Sequence, residues 1–319
     1  MVDLKIDFHS HFYPSAYIKA LEARSDWPKI STDEKETKHF VYDEKRSTPI
    51  NDSFYDVSKR ISDMDEGGID MAVLTLSNPF VFSLAGLVNN ELSRIMRDFP
   101  ERFVCLAALP FDDISEAVNE LDRAVKDLKL RGVVLPSNIK GEPLDADKFF
   151  PLFEKAQKLR VPVLIHPIIP ENENMKQYML ETTIGFPFET SLAISKLIFS
   201  GVLEKLPNLK IILAHAGGAI PYLIGRIDRA CEAFGLGTNL SKAPSKYLSQ
   251  VYIDTICFSQ KTLAFAAQVM GTDNLVFGTD CPFGWNTLAE FAGFVEKSFF
   301  SNDEKENIFG TNAKKLLNM

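Results

Sequence analysis

Cysteine and histidine are scarce in this 319-residue chain. The four cysteines, Cys105, Cys231, Cys257 and Cys281, lie far apart and form no C-x-x-C, so they read as reduced cytosolic thiols and not as a disulfide frame. No apolar run is long enough to cross a bilayer and no signal peptide is recognisable, so a cytoplasmic protein with no membrane partner is expected. A basic excess is missing too. Lys and Arg number 35 against 43 Asp and Glu, the net charge is −8, and no basic stripe appears, which argues against nucleic acid as a partner. An anionic metabolite remains compatible, because local charge in a pocket can oppose the global sign. There is no internal repeat, no low-complexity tract, and no G-x-G-x-x-G or Walker pattern, which leaves Gly217-Gly218 little weight as a phosphate loop. Apolar residues are not lacking. At 45% hydrophobic and 24% charged, the chain can bury a large core.

Short apolar runs alternate with amphipathic stretches along most of the length. The predicted strands are Val2–Phe8, Ile69–Thr75, Phe103–Leu109, Gly132–Pro136, Val161–His166, Leu209–His215, Val251–Asp254 and Leu275–Thr279. Helical patterns separate them, among them Asn89–Asp98, Ile114–Leu128, Ala146–Leu159, Glu189–Glu204, Ala219–Phe234 and Gln260–Met270, and Glu304–Leu317 closes the chain. Val-, Ile- and Leu-rich strands separated by helices indicate an α/β protein with a parallel sheet covered on both faces. Eight such units over 1–319 predict one (β/α)8 TIM barrel domain. The polar stretch Tyr13–Asp52 interrupts the alternation after the first strand. It reads as an insertion at the C-terminal face of the barrel, a place where long loops cap sites.

The five histidines are placed unevenly. His9 and His11 stand one residue apart in the opening strand, Lys5–His11, where residues i and i+2 face the same side. Two converging imidazoles suit a divalent transition metal. His166 and His215 end the fifth and sixth strands, and Asp280 follows the eighth. In a β/α barrel these ends form one ring at the face where active sites are built. His39 stands apart and reads as exposed or satisfied by a carbonyl.

The ordered set Asp7-Phe8-His9-Ser10-His11, Arg60-Ile61-Ser62-Asp63-Met64-Asp65, Gly185-Phe186-Pro187-Phe188-Glu189-Thr190, Leu213-Ala214-His215-Ala216-Gly217-Gly218 with Gly225-Arg226-Ile227-Asp228, and Gly278-Thr279-Asp280-Cys281-Pro282-Phe283 runs the length of the chain. It resembles the amidohydrolase superfamily, in the branch of aminocarboxymuconate-semialdehyde decarboxylase. The resemblance implies that His9, His11, His166 and Asp280 hold one divalent metal, Zn²⁺ foremost, with Mn²⁺, Co²⁺ or Fe²⁺ compatible with the same donors. It implies that His215 stays off the metal as general acid/base, and that Arg226, eleven residues on, binds a substrate carboxylate. The strand-four tip, Pro136-Ser137-Asn138, lacks the lysine of binuclear members, and Lys140 stands two residues into the loop, so one metal is expected. The named decarboxylase has a second, upstream substrate arginine; by spacing that position falls close to Asn51 here, with Arg46 the nearest candidate.

Other readings stay open at single positions. His215 can ligate instead of shuttling protons, Asp280 can cap its loop, and Arg226 can pair with Asp228 or Glu232 on a helix surface. Asp254 can serve as acceptor for a ligand histidine or for Arg226, or be structural. Glu189 reads as support for its helix start, and Cys281 as a small buried residue. The function expected is metal-dependent, non-oxidative decarboxylation of a small unsaturated or aromatic carboxylic acid, with His215 and Asp280 catalytic. The alternatives are a metal-dependent hydrolase of an amide, lactone or ester, or a barrel that binds metal without catalysis. A homodimer is expected, with the aromatics of Phe291–Phe300 as one stretch that could mediate it.

Overall fold

The computed structural model describes residues 4–319. Eight parallel strands make its centre: β1 (Ile6–His11), β2 (Met71–Thr75), β3 (Phe103–Cys105), β4 (Val133–Pro136), β5 (Val163–His166), β6 (Ile211–Leu213), β7 (Val251–Asp254) and β8 (Leu275–Val276). They lie in two arcs, β1-β2-β3 and β8-β7-β6-β5-β4. Single parallel bridges join the arcs at both seams. Ala107, just past β3, pairs with Val133, and Ser10 pairs with Cys281. Backbone hydrogen bonds reinforce each seam, with Val134 N to Ala107 O at 3.0 Å and Phe8 N to Phe277 O at 2.8 Å. The ring of eight is therefore a (β/α)8 barrel.

Alternate residues of the strands pack inside the ring: Ile6, Phe8, Met71, Val73, Val104, Val134, Leu164, Ile212 and Val276 form one buried cluster, joined by Leu316 and Leu317 of the last helix. The opposite faces join the helices in the larger core. This parity matters in β1. With Ile6 and Phe8 inside, strict alternation would turn Ser10 inward and the histidines out. Instead the register slips between Asp7 and Ser10, where three residues of β1 span two of β2. One extra residue reverses the parity, so that His9 and His11 follow Phe8 into the lumen.

The sequence expectation for β1 is corrected by this. Val2 and Asp3 lie outside the described residues, and the strand runs three residues beyond Phe8 because barrel pairing, not hydrophobicity, sets its end. The helix Val57–Gly67 was not among the predicted ones, its inward face being Arg60 and Met64. The interval between Tyr13 and Asp52 is a helix, Ser15–Glu22, and a three-stranded antiparallel sheet of Lys29–Thr32, Lys38–Val41 and Ser47–Ile50. Each of those strands buries one apolar residue, Ile30, Phe40 or Ile50. Phe40 packs on Tyr13 with ring centroids 4.7 Å apart. No helix among the described residues is long and apolar enough to cross a membrane.

Candidate active site

The C-terminal ends of β1, β5 and the β8 loop bring His9, His11, His166 and Asp280 together, with one ligand atom from each inside a 4.8 Å span. All four are buried. Each imidazole is fixed from behind through Nδ1: His9 by Asp254 Oδ2 at 2.7 Å, His11 by Thr75 Oγ1 at 2.9 Å, and His166 by the Pro167 carbonyl at 3.0 Å. Such acceptors hold the proton on Nδ1 and leave Nε2 as a lone pair. The Nε2 atoms of His9 and His11 are 3.0 Å apart, and Asp280 Oδ1 lies 2.9 Å from the latter and 3.4 Å from the former. Lone pairs crowded this closely, with no protein donor between them, suit a cation. Three imidazoles and a carboxylate are a fitting donor set for a divalent metal.

Electrostatics agree with that role. Burial holds the pKa of both His11 and His166 down to about 4, and that of His9 is lowered for the same reason, so these rings are neutral near pH 7. Burial works against ionised Asp280, but the surrounding imidazoles of His11, His166, His215 and His9 outweigh it and hold the carboxyl well below the usual range.

His215 differs from the other three. Its Nε2 lies 3.5 Å from Asp280 Oδ2, on the carboxylate oxygen turned away from His11, and its buried Nδ1 has no partner among the described residues. Burial opposes its protonation, yet the hydrogen bond to Asp280 and the charges of Asp280 and Asp254 raise its pKa above the ordinary histidine value. No acceptor fixes its tautomer, so this ring is free to exchange a proton. Its backbone is unusual as well. His215, Ala216 and Asp280 have φ of +57°, +52° and +60°, a left-handed conformation that costs non-glycine residues energy and clusters at functional sites. Asp254 holds the turn, accepting from the N–H groups of His215 and Ala216 at 2.8 Å each while it also anchors His9. Gly218 ends the turn where a side chain is impossible, since a Cβ would stand 2.2 Å from the Pro187 carbonyl.

The cluster opens into a cavity of about 1030 Å³ that both Phe186 and Phe283 line. Phe186 stacks on His215 with centroids 6.0 Å apart, and Phe283 meets His11 edge-on at 5.5 Å. Arg46 and Thr48, from the antiparallel sheet between Tyr13 and Asp52, form part of its wall. Arg46 is oriented by Asp43 and lies 3.6 Å from Glu181.

Arg226 is not brought to the cavity. It is exposed on the helix Ile220–Phe234, four residues and roughly 6 Å of helix beyond Tyr222, which does line the mouth. Lys140 also stays outside, paired with Asp112 at 2.6 Å. His39 sits on the inserted sheet beside Asp33 at 3.1 Å. Asp254 proves to be the acceptor for a histidine of the cluster. Thr75 was overlooked in the sequence, although its place at the inward tip of β2 was a usable signal.

A family model described as Amidohydrolase matches residues 6–319. The chain is 31% identical over 334 residues to a 2-amino-3-carboxymuconate-6-semialdehyde decarboxylase of Dictyostelium discoideum, covering 99% of this chain and 92% of that one. Among solved structures, an IDCase of Metarhizium anisopliae in apo form superposes with a TM-score of 0.90 at 26% identity, covering 99% of this chain and 97% of that one. A dihydroxybenzoic acid decarboxylase of Polaromonas sp. JS666, with bound manganese and the inhibitor 2-nitroresorcinol, superposes with a TM-score of 0.81 at 27% identity and covers the same shares.

Proposed function

The chain belongs to the amidohydrolase family, and from that membership we propose that it is a metal-dependent, non-oxidative decarboxylase of a small unsaturated or aromatic carboxylic acid. The observation that carries the proposal is the division among the histidines. Three are tethered through Nδ1 with Nε2 turned inward, and His215 alone is untethered and biased towards protonation.

His9, His11, His166 and Asp280 hold the metal. When bound, a divalent ion there supplies Lewis-acid stabilisation of the electron density that develops on the substrate. His215 delivers its proton to the carbon that bears the carboxylate. The C–C bond then breaks, CO₂ leaves, and its bonding electrons restore the double bond or ring while the new C–H stays. Asp280 would serve twice, as one of the four residues holding the ion and, through Oδ2, as the partner of His215. Arg46 holds a substrate carboxylate at the cavity wall, taking the role that Arg226 is too far away to play within one chain. The aromatic faces of Phe186 and Phe283 suit a planar, unsaturated substrate.

Zn²⁺ is the metal we favour from the donor set, against the manganese of the Polaromonas relative. We also propose a cytoplasmic homodimer. All four thiols are free, as a reducing compartment allows. Ile184, Phe188 and Leu192 form an exposed apolar stripe at spacing i, i+4, i+8 near the cavity mouth, a surface suited to a second copy.

The test is CO₂ release by the metal-loaded protein across a panel of aromatic and unsaturated carboxylic acids. Release is expected, and His215→Ala should lower kcat by roughly 10²–10⁴-fold, the usual contribution of a general acid. Silence across the panel, with hydrolysis of a lactone or amide in its place, would overturn the decarboxylase reading.

A further inference from the structure

Of the three tethered histidines, His9 has a carboxylate behind it and His11 a hydroxyl, whereas His166 Nδ1 meets the carbonyl of Pro167, in the loop after β5, at 3.0 Å and the Ser77 hydroxyl at a longer 3.3 Å, with no carboxylate in direct contact. We propose that Glu189 is a positioning residue for His166, acting through Ser137 and the Pro167–Ile168 peptide. This inference rests on the reading that His166 is a metal ligand.

The path is continuous. The Pro167 carbonyl accepts from His166 Nδ1 at 3.0 Å and from Asn78 Nδ2 at 2.9 Å. The N–H of the same peptide, on Ile168, donates to Ser137 Oγ at 3.2 Å. Ser137 Oγ in turn donates to Glu189 Oε2 at 2.8 Å, and Asn138 Nδ2 donates to the same oxygen at 2.9 Å. Ser137 also grips the loop from its other side, its N–H donating to the His166 carbonyl at 2.9 Å. Ser137 thus brackets Pro167, holding residue 166 by the carbonyl and residue 168 by the amide. Hydrogen bonds in such a chain polarise one another, and a carboxylate at the far end strengthens each. The arrangement is a carboxylate–histidine pair with a hydroxyl and a peptide between its halves, and it supplies what Asp254 supplies directly to His9.

A plain helix-start role does not describe Glu189. No side chain caps the helix Phe186–Phe199, and the Glu189 carboxylate leaves the helix to reach Ser137 and Asn138 at the tip of β4.

The experiment measures Zn²⁺ affinity by competition with a chromophoric chelator, with the visible spectrum of the Co²⁺-loaded protein as a second readout and the Tm of the metal-free protein as a folding control. Ser137→Ala and Glu189→Ala should each weaken Zn²⁺ binding by about 10–100-fold and alter the Co²⁺ spectrum. The double variant should lose no more than the weaker-binding single, because both act on one path. Glu189→Gln keeps an acceptor oxygen and should recover most of the loss. Ser137→Ala leaves the helix untouched and carries the test if Glu189→Ala does not fold. Singles that bind Zn²⁺ within about twofold of the parent, or losses that add in the double variant, overturn the proposal. His166→Ala separates the two readings. Parent-like affinity in it sinks the metal assignment, whereas weak affinity there beside parent-like Ser137→Ala and Glu189→Ala sinks the relay alone.

Discussion

His11 and His166 are folded as neutral imidazoles with pKa values near 4, but in the unfolded chain they titrate near 6.5. Between those values the unfolded state binds more protons, so stability falls as pH is lowered through the window. Each such group contributes a slope of about 1.4 kcal/mol per pH unit at its steepest. His215, shifted upward, acts in the opposite sense and only above the ordinary histidine value. Buried Asp7, its carboxyl pushed up to about 7, acts against His11 and His166 over the same window, so the urea midpoint of the metal-free protein should drop from pH 6.5 to 4 only by the excess of the buried histidines, and by less in His166→Gln. A flat profile in the parent protein would contradict the burial argument. At this scale the sequence was legible wherever side-chain type and strand-end position coincide, as for His9, His11, His166, His215 and Asp280. It was silent on the Pro167 carbonyl, since any residue presents a carbonyl and only the loop's path decides which one meets an imidazole.

The strands that read most clearly are those buried on both faces. Val163–His166 and Val251–Asp254 are continuous apolar runs ending in a polar residue, a pattern that needs no partner to be recognised. The apolar run alone ends β1 at Phe8, and only the H-x-H spacing carries the strand on to His11, while the bulge there is a property of the strand pair that a single sequence does not show. The inserted sheet escaped for another reason. Each strand contributes one core residue, so alternation never lasts long enough to register against the surrounding charges. Its stability then depends on very few side chains. Phe40→Ala removes the ring that packs on Tyr13 and should cost about 3–5 kcal/mol locally. Because Arg46 and Thr48 ride on this sheet, KM should rise while Zn²⁺ affinity stays at the parent value. Steady-state kinetics beside chelator competition would show the split, and a parallel loss of metal would refute it.

For the whole molecule, the exposed stripe Ile184, Phe188 and Leu192 sets an expected mass. Light scattering should give twice the 35.8 kDa of one chain, and Phe188→Glu with Leu192→Glu should halve it without lowering Tm. A monomeric parent protein would leave the stripe unexplained. The Phe291–Phe300 stretch offers less apolar surface, for Phe291, Val295 and Phe300 are buried and Phe299 is its one well-exposed aromatic. An isolated sequence cannot make this distinction, because amphipathic helices facing the barrel and facing a partner have the same period. The seam at Ser10 and Cys281 has a consequence for how the molecule is made. His11 and Asp280, which touch across it, are 269 positions apart in the chain. At about 5–20 residues per second, the ribosome takes roughly 13–54 s to travel from one to the other. Throughout that interval the histidine pair exists without its carboxylate, so a nascent chain cannot assemble the full donor set. Metal loading is thereby a late event of biosynthesis, reserved for a chain whose eighth strand has emerged and closed the ring.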